Sequence, residues 1–361
     1  LKGVRFKRPP HAVFIYSYEV ARYGGWVVRY VMPNLGAMPI HHAKMDSQGM
    51  TRIYNAITNG PYPVALAPEG RVSFTTNTIP RLEPGVVRIG FNAALRLAEK
   101  DPDCSVEILP VSIYYYFGFW GKLNLEILLK KIERACGISG KKGERKKIPF
   151  RDRVIECRAY ILEVNERRYK VKSDPSLPFE ESLNNLVIEV LRTAEEMTGL
   201  KSEGDITFRI HRIRQIFWDK IFLPGVRNLK QKTPMERYVA NLLAGEAWYL
   251  GRHLELVDFG WHFRNTIPEN DAPLHDKIEF AQNLWDFASR TMGGAYMDRV
   301  NIFPRRVIIK SSPIINLSEK LSSYKEDKKA AVSIAMQDLE KSFLDCIAES
   351  GGWLAKKNAG M

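Results

Sequence analysis

Between Ala12 and Tyr116, short apolar runs rich in β-formers alternate with segments of helical period. Ala12–Tyr16, Gly36–Ile40, Tyr62–Ala67 and Val106–Tyr116 predict strands. Ala21–Leu35, Met50–Thr58 and Val86–Lys100 predict helices; the second stops at Asn59-Gly60, and the third sets Val87, Phe91, Ala94, Leu95 and Ala98 on one face. Strands and helices alternating in short units predict an α/β fold, a mostly parallel sheet with flanking helices. Ligands of such sheets bind where loops leave the carboxyl ends of strands.

After Tyr116 the period becomes helical. Leu123–Cys136 leads into a basic loop, Gly137–Lys147, and Val154–Glu163 fits a helix or a strand. Helices follow over 179–198, 206–222, 234–258 and 273–291, with aromatic residues at core-packing spacing. The α/β pattern then returns as a strand, Arg306–Lys310, a turn, Ser312–Ser318, and a helix, Lys325–Glu349. The expected organisation is an α/β core from 1–119 and 303–361, interrupted by a large helical insertion, 120–302.

Hydrophobic content of 45% and charged content of 26% describe a folded globular chain, but a net charge of +13 points to an anionic partner. Residues 130–172 hold 15 Lys or Arg against 6 Asp or Glu. Near an anionic membrane each such cation contributes roughly 1 kcal/mol. Nucleic acid is not expected, because no nucleic-acid motif accompanies the charge. Arg22 and Arg29 beside Trp26 either dock at a lipid interface or cover a sheet edge. Cys104, Cys136, Cys157 and Cys346 lack metal spacing and fit a reducing compartment. His211, His253, His262 and His275 have no i,i+4 ligand partner, so no metal site is expected. No apolar run reaches the 18 or so residues of a spanning helix. The chain begins at Leu1 without a methionine or signal-peptide pattern, so natural sequence is expected to precede it. The expected location is cytoplasmic, peripheral at the inner face of a membrane.

The chemistry centres on Pro68-Glu69-Gly70-Arg71, at the end of an apolar run. A glycine there lets a ligand approach the backbone. A carboxylate can accept from a hydroxyl while a guanidinium forks to phosphate. A plain turn with a surface ion pair has the same sequence. Around it lie Gly36-Ala-Met-Pro-Ile40, the helix entry Arg81-Leu-Glu-Pro-Gly85 and the strand Ile108-Leu-Pro-Val-Ser-Ile113.

In order and spacing these blocks resemble the glycerolipid acyltransferase family, the lysophosphatidate and glycerol-phosphate acyltransferases, over about 12–117 and 303–347. The resemblance implies acyl transfer from acyl-CoA or acyl carrier protein to a hydroxyl of a lysophospholipid or glycerol-phosphate-like acceptor. No other cofactor is implied. It gives substrate-binding roles to Glu69, Gly70, Arg71, Ser73, His42 and Lys44. Arg71 stands where the family usually has Thr, and Val72 where it has Arg. The family also needs a His that takes the hydroxyl proton, oriented by an Asp five residues on. His41 and Asp46 have that spacing, but they follow the second block, and the register of the blocks implies a pair before Leu1. The alternative is a non-catalytic relative that binds lipid or membrane without turnover.

Overall fold

The computed structural model describes residues 11–17, 20, 25–41, 46–70, 75–79, 82–118, 120–138, 140, 143–172, 174–221, 229–262, 267–294 and 299–359. By internal contacts it forms two units, residues 1–114 with 307–361, and residues 115–306.

In the first unit, β1 (Val13–Ser17) is the centre of a three-stranded parallel sheet of order β2-β1-β3, with β2 Met38–Ile40 and β3 Val64–Ala65. Ile15 pairs with Met38 and Ser17 with Ile40; Val13 pairs with Val64 and Phe14 with Ala65. Parallel neighbours need crossover connections; these are α1 (Gly25–Asn34) and α2 (Ser47–Asn59). The run Tyr62–Ala67 yields only two ladder residues. Pro63 accepts from Val13 N at 2.8 Å but has no N–H to return, and Pro68 opens a turn.

α3 (Gly85–Lys100) buries Val87, Gly90, Phe91 and Ala94, the helical period read from the sequence. It packs on Leu317, on Tyr324 of α10 (Leu321–Glu326), and on Ala335 and Leu339 of α11 (Lys328–Ala359). Phe91 stacks on Tyr324 with centroids 4.3 Å apart. Burying such a side chain contributes about 1.5–3 kcal/mol. Gly90 permits this approach, since a Cβ there would lie 2.4 Å from Leu317 Cδ1.

The run Val106–Tyr116 is not one strand. Leu109-Pro110 splits it into β4 (Glu107–Ile108) and β5 (Val111–Phe117), because proline cannot donate to a ladder. Pro110 still accepts from Ser312 N at 3.1 Å. β5 pairs with β6 (Arg305–Ser311), and β4 pairs antiparallel with β7 (Ile315–Asn316), which lies inside the stretch expected as a turn. Among the described strands, parallel pairing is seen in β1–β3.

The second unit contains α4 (Gly121–Ala135), α5 (Phe150–Tyr169), α6 (Phe179–Thr198), α7 (Ile206–Ile221), α8 (Pro234–His262) and α9 (Leu274–Thr291) around one hydrophobic core. Val154–Glu163 lies within α5, which settles that segment as helix. α9 is buried along most of its length, polar positions included. Among the described residues, no helix is long and apolar enough to cross a membrane.

Candidate functional site at the sheet edge

Because β1, β2 and β3 are parallel, their carboxyl ends share one edge. The chain moves from β1 to β2 on one side, then returns across β1 to β3 on the other. That reversal is a topological switch point, where such sheets bind ligands. Two of the three loops at this edge carry sequence-predicted site residues: His41 and Asp46 after β2, and Glu69 and Gly70 after β3. Strand spacing puts β2 and β3 about 10 Å apart, with β1 between.

The turn after β3 is held by two main-chain bonds, Gly70 N to Ala67 O at 3.5 Å and Glu83 N to Pro68 O at 2.7 Å. Gly70 has φ +63, and a Cβ there would meet Glu83 Cγ at 2.8 Å. Glycine is therefore required on both counts. Glu69 is half-buried in this turn. Arg71, Ser73, His42 and Lys44 lie outside the described residues, as do Arg22, Lys141 and Lys142.

Asp46 is the N-cap of α2. Its Oδ1 accepts from Gly49 N at 2.7 Å and its Oδ2 from His41 N at 3.2 Å. The Gly49 N–H lowers its carboxyl pKa; burial opposes this, and the His41 N–H adds to it. The contact between His41 and Asp46 shown here is thus main chain to side chain, and it fixes the loop after β2. A Cβ on Gly49 would lie 2.4 Å from Asp46 Oδ2, so this cap also depends on glycine.

An open depression of about 390 Å³ adjoins the cap, lined by Ser47, Gln48, Thr51 and Arg52. Arg52 donates from Nη2 to Pro39 O of β2 at 3.5 Å, a long bond. Sequence reasoning missed Arg52, which looks like one more solvated helix cation; its signal is the polar face it forms with Gln48 and Thr51.

Several arginines of the basic stretch 130–172 are paired with glutamates. Arg153, with its side chain 1% exposed, donates from Nε to Glu133 Oε1 at 2.7 Å and from Nη1 to Glu126 Oε2 at 3.0 Å. Arg145 bridges Glu133 and Glu156 at 2.9 and 2.7 Å, Arg158 faces Glu180 at 3.5 Å, and Arg151 pairs with Glu269. Burial pushes the Glu133 carboxyl up, but the Arg153 and Arg145 hydrogen bonds outweigh it and hold the group below the ordinary range. Tyr169 Oη meets His253 Nδ1 at 2.7 Å, and burial raises the phenol to about 12 and lowers the imidazole. Cys136, Cys157 and Cys346 are buried free thiols, and Cys104 is an exposed one. Among the described residues no group of three or more His, Cys, Asp or Glu is placed to hold a metal.

Compared with family models, with curated proteins and with solved structures, the chain matches none.

Proposed function

We propose that this chain is an acyltransferase of the glycerolipid type. It moves a fatty acyl group from acyl-CoA or acyl carrier protein to a hydroxyl of a lysophospholipid or glycerol-phosphate-like acceptor, at the inner face of a membrane. The observation that carries this reading is the position of the Glu69-Gly70 turn, after β3 at the switch point of a β2-β1-β3 sheet. Glu69 accepts from an acceptor hydroxyl, and cations at the same edge, with Arg52 among them, take the phosphate. The helical unit is then an insertion into the acyltransferase core.

His41 is the histidine described at this edge, and it serves here as general base. It takes the acceptor proton; the oxygen attacks the thioester carbonyl and forms the new C–O bond. The C–S bond then breaks, and the proton passes to the departing thiolate.

A second reading, lipid binding without turnover, is favoured by the element order. The resemblance places its His-Asp block ahead of a β-α-β passage that precedes the Glu. Here β2, α2 and β3 form such a passage ahead of Glu69, and the loop after β1 is the position preceding it. The chain has Ser17-Tyr-Glu-Val-Ala-Arg-Tyr23 there, with no histidine.

Incubation with labelled acyl-CoA and lysophosphatidate separates the two. The acyltransferase reading expects labelled product, reduced at least 100-fold in His41→Ala, the loss typical of a removed acid–base group (~100-fold or more), and reduced also in Glu69→Ala, which removes an acceptor contact, both at unchanged thermal midpoint. Saturable lysophosphatidate binding without product selects the second reading. Wild-type rates in Glu69→Ala reject the site.

A further inference from the structure

We propose that the outer face of α1 docks on an anionic phospholipid surface. None of the ten residues of α1 is buried. Trp26 is 76% exposed and Tyr30 69%, and Val27, Val31 and Leu35 are exposed with them. Gly25, Val28 and Met32 form the inner, half-buried face. Soluble monomers rarely leave contiguous apolar surface of this kind in water. Trp and Tyr, with an apolar body and a polar tip, are the side chains suited to the boundary between headgroups and acyl chains.

Charge selects the occupant. Residues 20–45 contain no Asp or Glu, but hold Arg22, Arg29 and Lys44. Arg29 lies exposed on α1 itself, where its aliphatic stem can lie along the apolar face while its guanidinium reaches headgroup phosphates. Residues 1–40 carry six Lys or Arg against one Glu. The helical unit supplies a contrast: α8 also exposes Met235, Tyr238, Leu242 and Tyr249 at helical spacing, but Glu246 interrupts that face. An acid-free aromatic face with a cation fits a negative lipid surface; an acid-interrupted one carries no such preference.

This inference deepens the proposed reading, which puts the acceptor in a bilayer, but its test needs no turnover. The full chain is floated with vesicles of phosphatidylcholine alone and of phosphatidylcholine mixed with phosphatidylglycerol. Binding to the mixed vesicles, weaker on phosphatidylcholine, is expected. Trp26→Ser with Tyr30→Ser should lower partitioning about tenfold or more. Arg29→Gln should lower it about fivefold on the mixed vesicles and leave phosphatidylcholine binding unchanged. All three positions are exposed, so equal circular-dichroism melts are expected for every variant. A double variant that floats like the wild type overturns the proposal, as does a wild-type chain that stays unbound. A dimer that dissociates in the double variant gives the face to a second copy and overturns it too. An inactive chain that floats as expected keeps this proposal while rejecting the acyl-transfer reading.

Discussion

In the helical unit several ionisable groups are buried and paired, whereas in the sheet unit the candidate groups lie at the rim. Arg153 and Glu133 are almost completely buried, and each finds a partner in the other. Glu69, His41 and Arg52 sit on loops and a helix start at a sheet edge. The largest departures from ordinary pKa values fall in the helical unit, where dense packing and paired charges account for them. Perturbed titration marks functional groups only when the perturbed group faces a place a ligand can reach. Buried, paired charge here holds the bundle together, whereas the groups of the proposed site lie at strand ends.

The sharpest break in this comparison comes from removing Arg153. Arg153→Ala leaves Glu133 buried with only Arg145 beside it, and denaturant unfolding should lose about 3–5 kcal/mol. A loss below about 1 kcal/mol would put that pair in the class of surface ion pairs. Acid should act on the same groups. The folded Glu133 carboxyl is depressed, so its contribution is present above the unfolded value near 4.5 and is lost as pH falls through the folded pKa. Denaturation followed from pH 7 to pH 3 should show this loss, and Arg153→Ala should flatten it.

The sheet edge should respond more mildly. Gly70→Ala forces a side chain into φ +63 and against Glu83, and is expected to cost about 1–2 kcal/mol in thermal unfolding. Asp46→Ala removes the cap of α2 and should cost about 1 kcal/mol. The Asp46 carboxyl is also depressed, so the cap should weaken as pH falls through its folded pKa. Asp46→Asn, which can still accept a hydrogen bond, should recover most of the loss at neutral pH.

Much of the sheet unit was legible from pattern alone. The Val87, Phe91, Ala94 period fixed α3, and the short apolar runs fixed β1 to β3 within a few residues. Proline misled where the run was longest: Val106–Tyr116 has continuous β character, and only the missing N–H of Pro110 breaks the ladder. The last helix runs ten residues past Glu349, through Gly351-Gly352, because Cys346, Ser350 and Leu354 continue a buried stripe at i,i+4 spacing. Glycine's poor propensity is overridden there by packing. The charge network was not legible. Arg145, Arg151, Arg153 and Arg158 look like a solvated basic block in sequence, and their glutamate partners lie from 11 to 118 residues away. Trp26 posed the reverse problem: its pattern allowed it to cover a sheet edge, and its 76% exposure shows that it points to solvent instead.

Equilibrium binding of lysophosphatidate to the wild-type chain and to Glu69→Gln, with thermal midpoints measured alongside, tests the central claim under either functional reading. The expected result is saturable wild-type binding, weakened at least tenfold in Glu69→Gln, the about 1.4 kcal/mol of one lost charged hydrogen bond, with an unchanged midpoint. Equal affinity in the two proteins would contradict the assignment of the β3 turn as the ligand-binding edge.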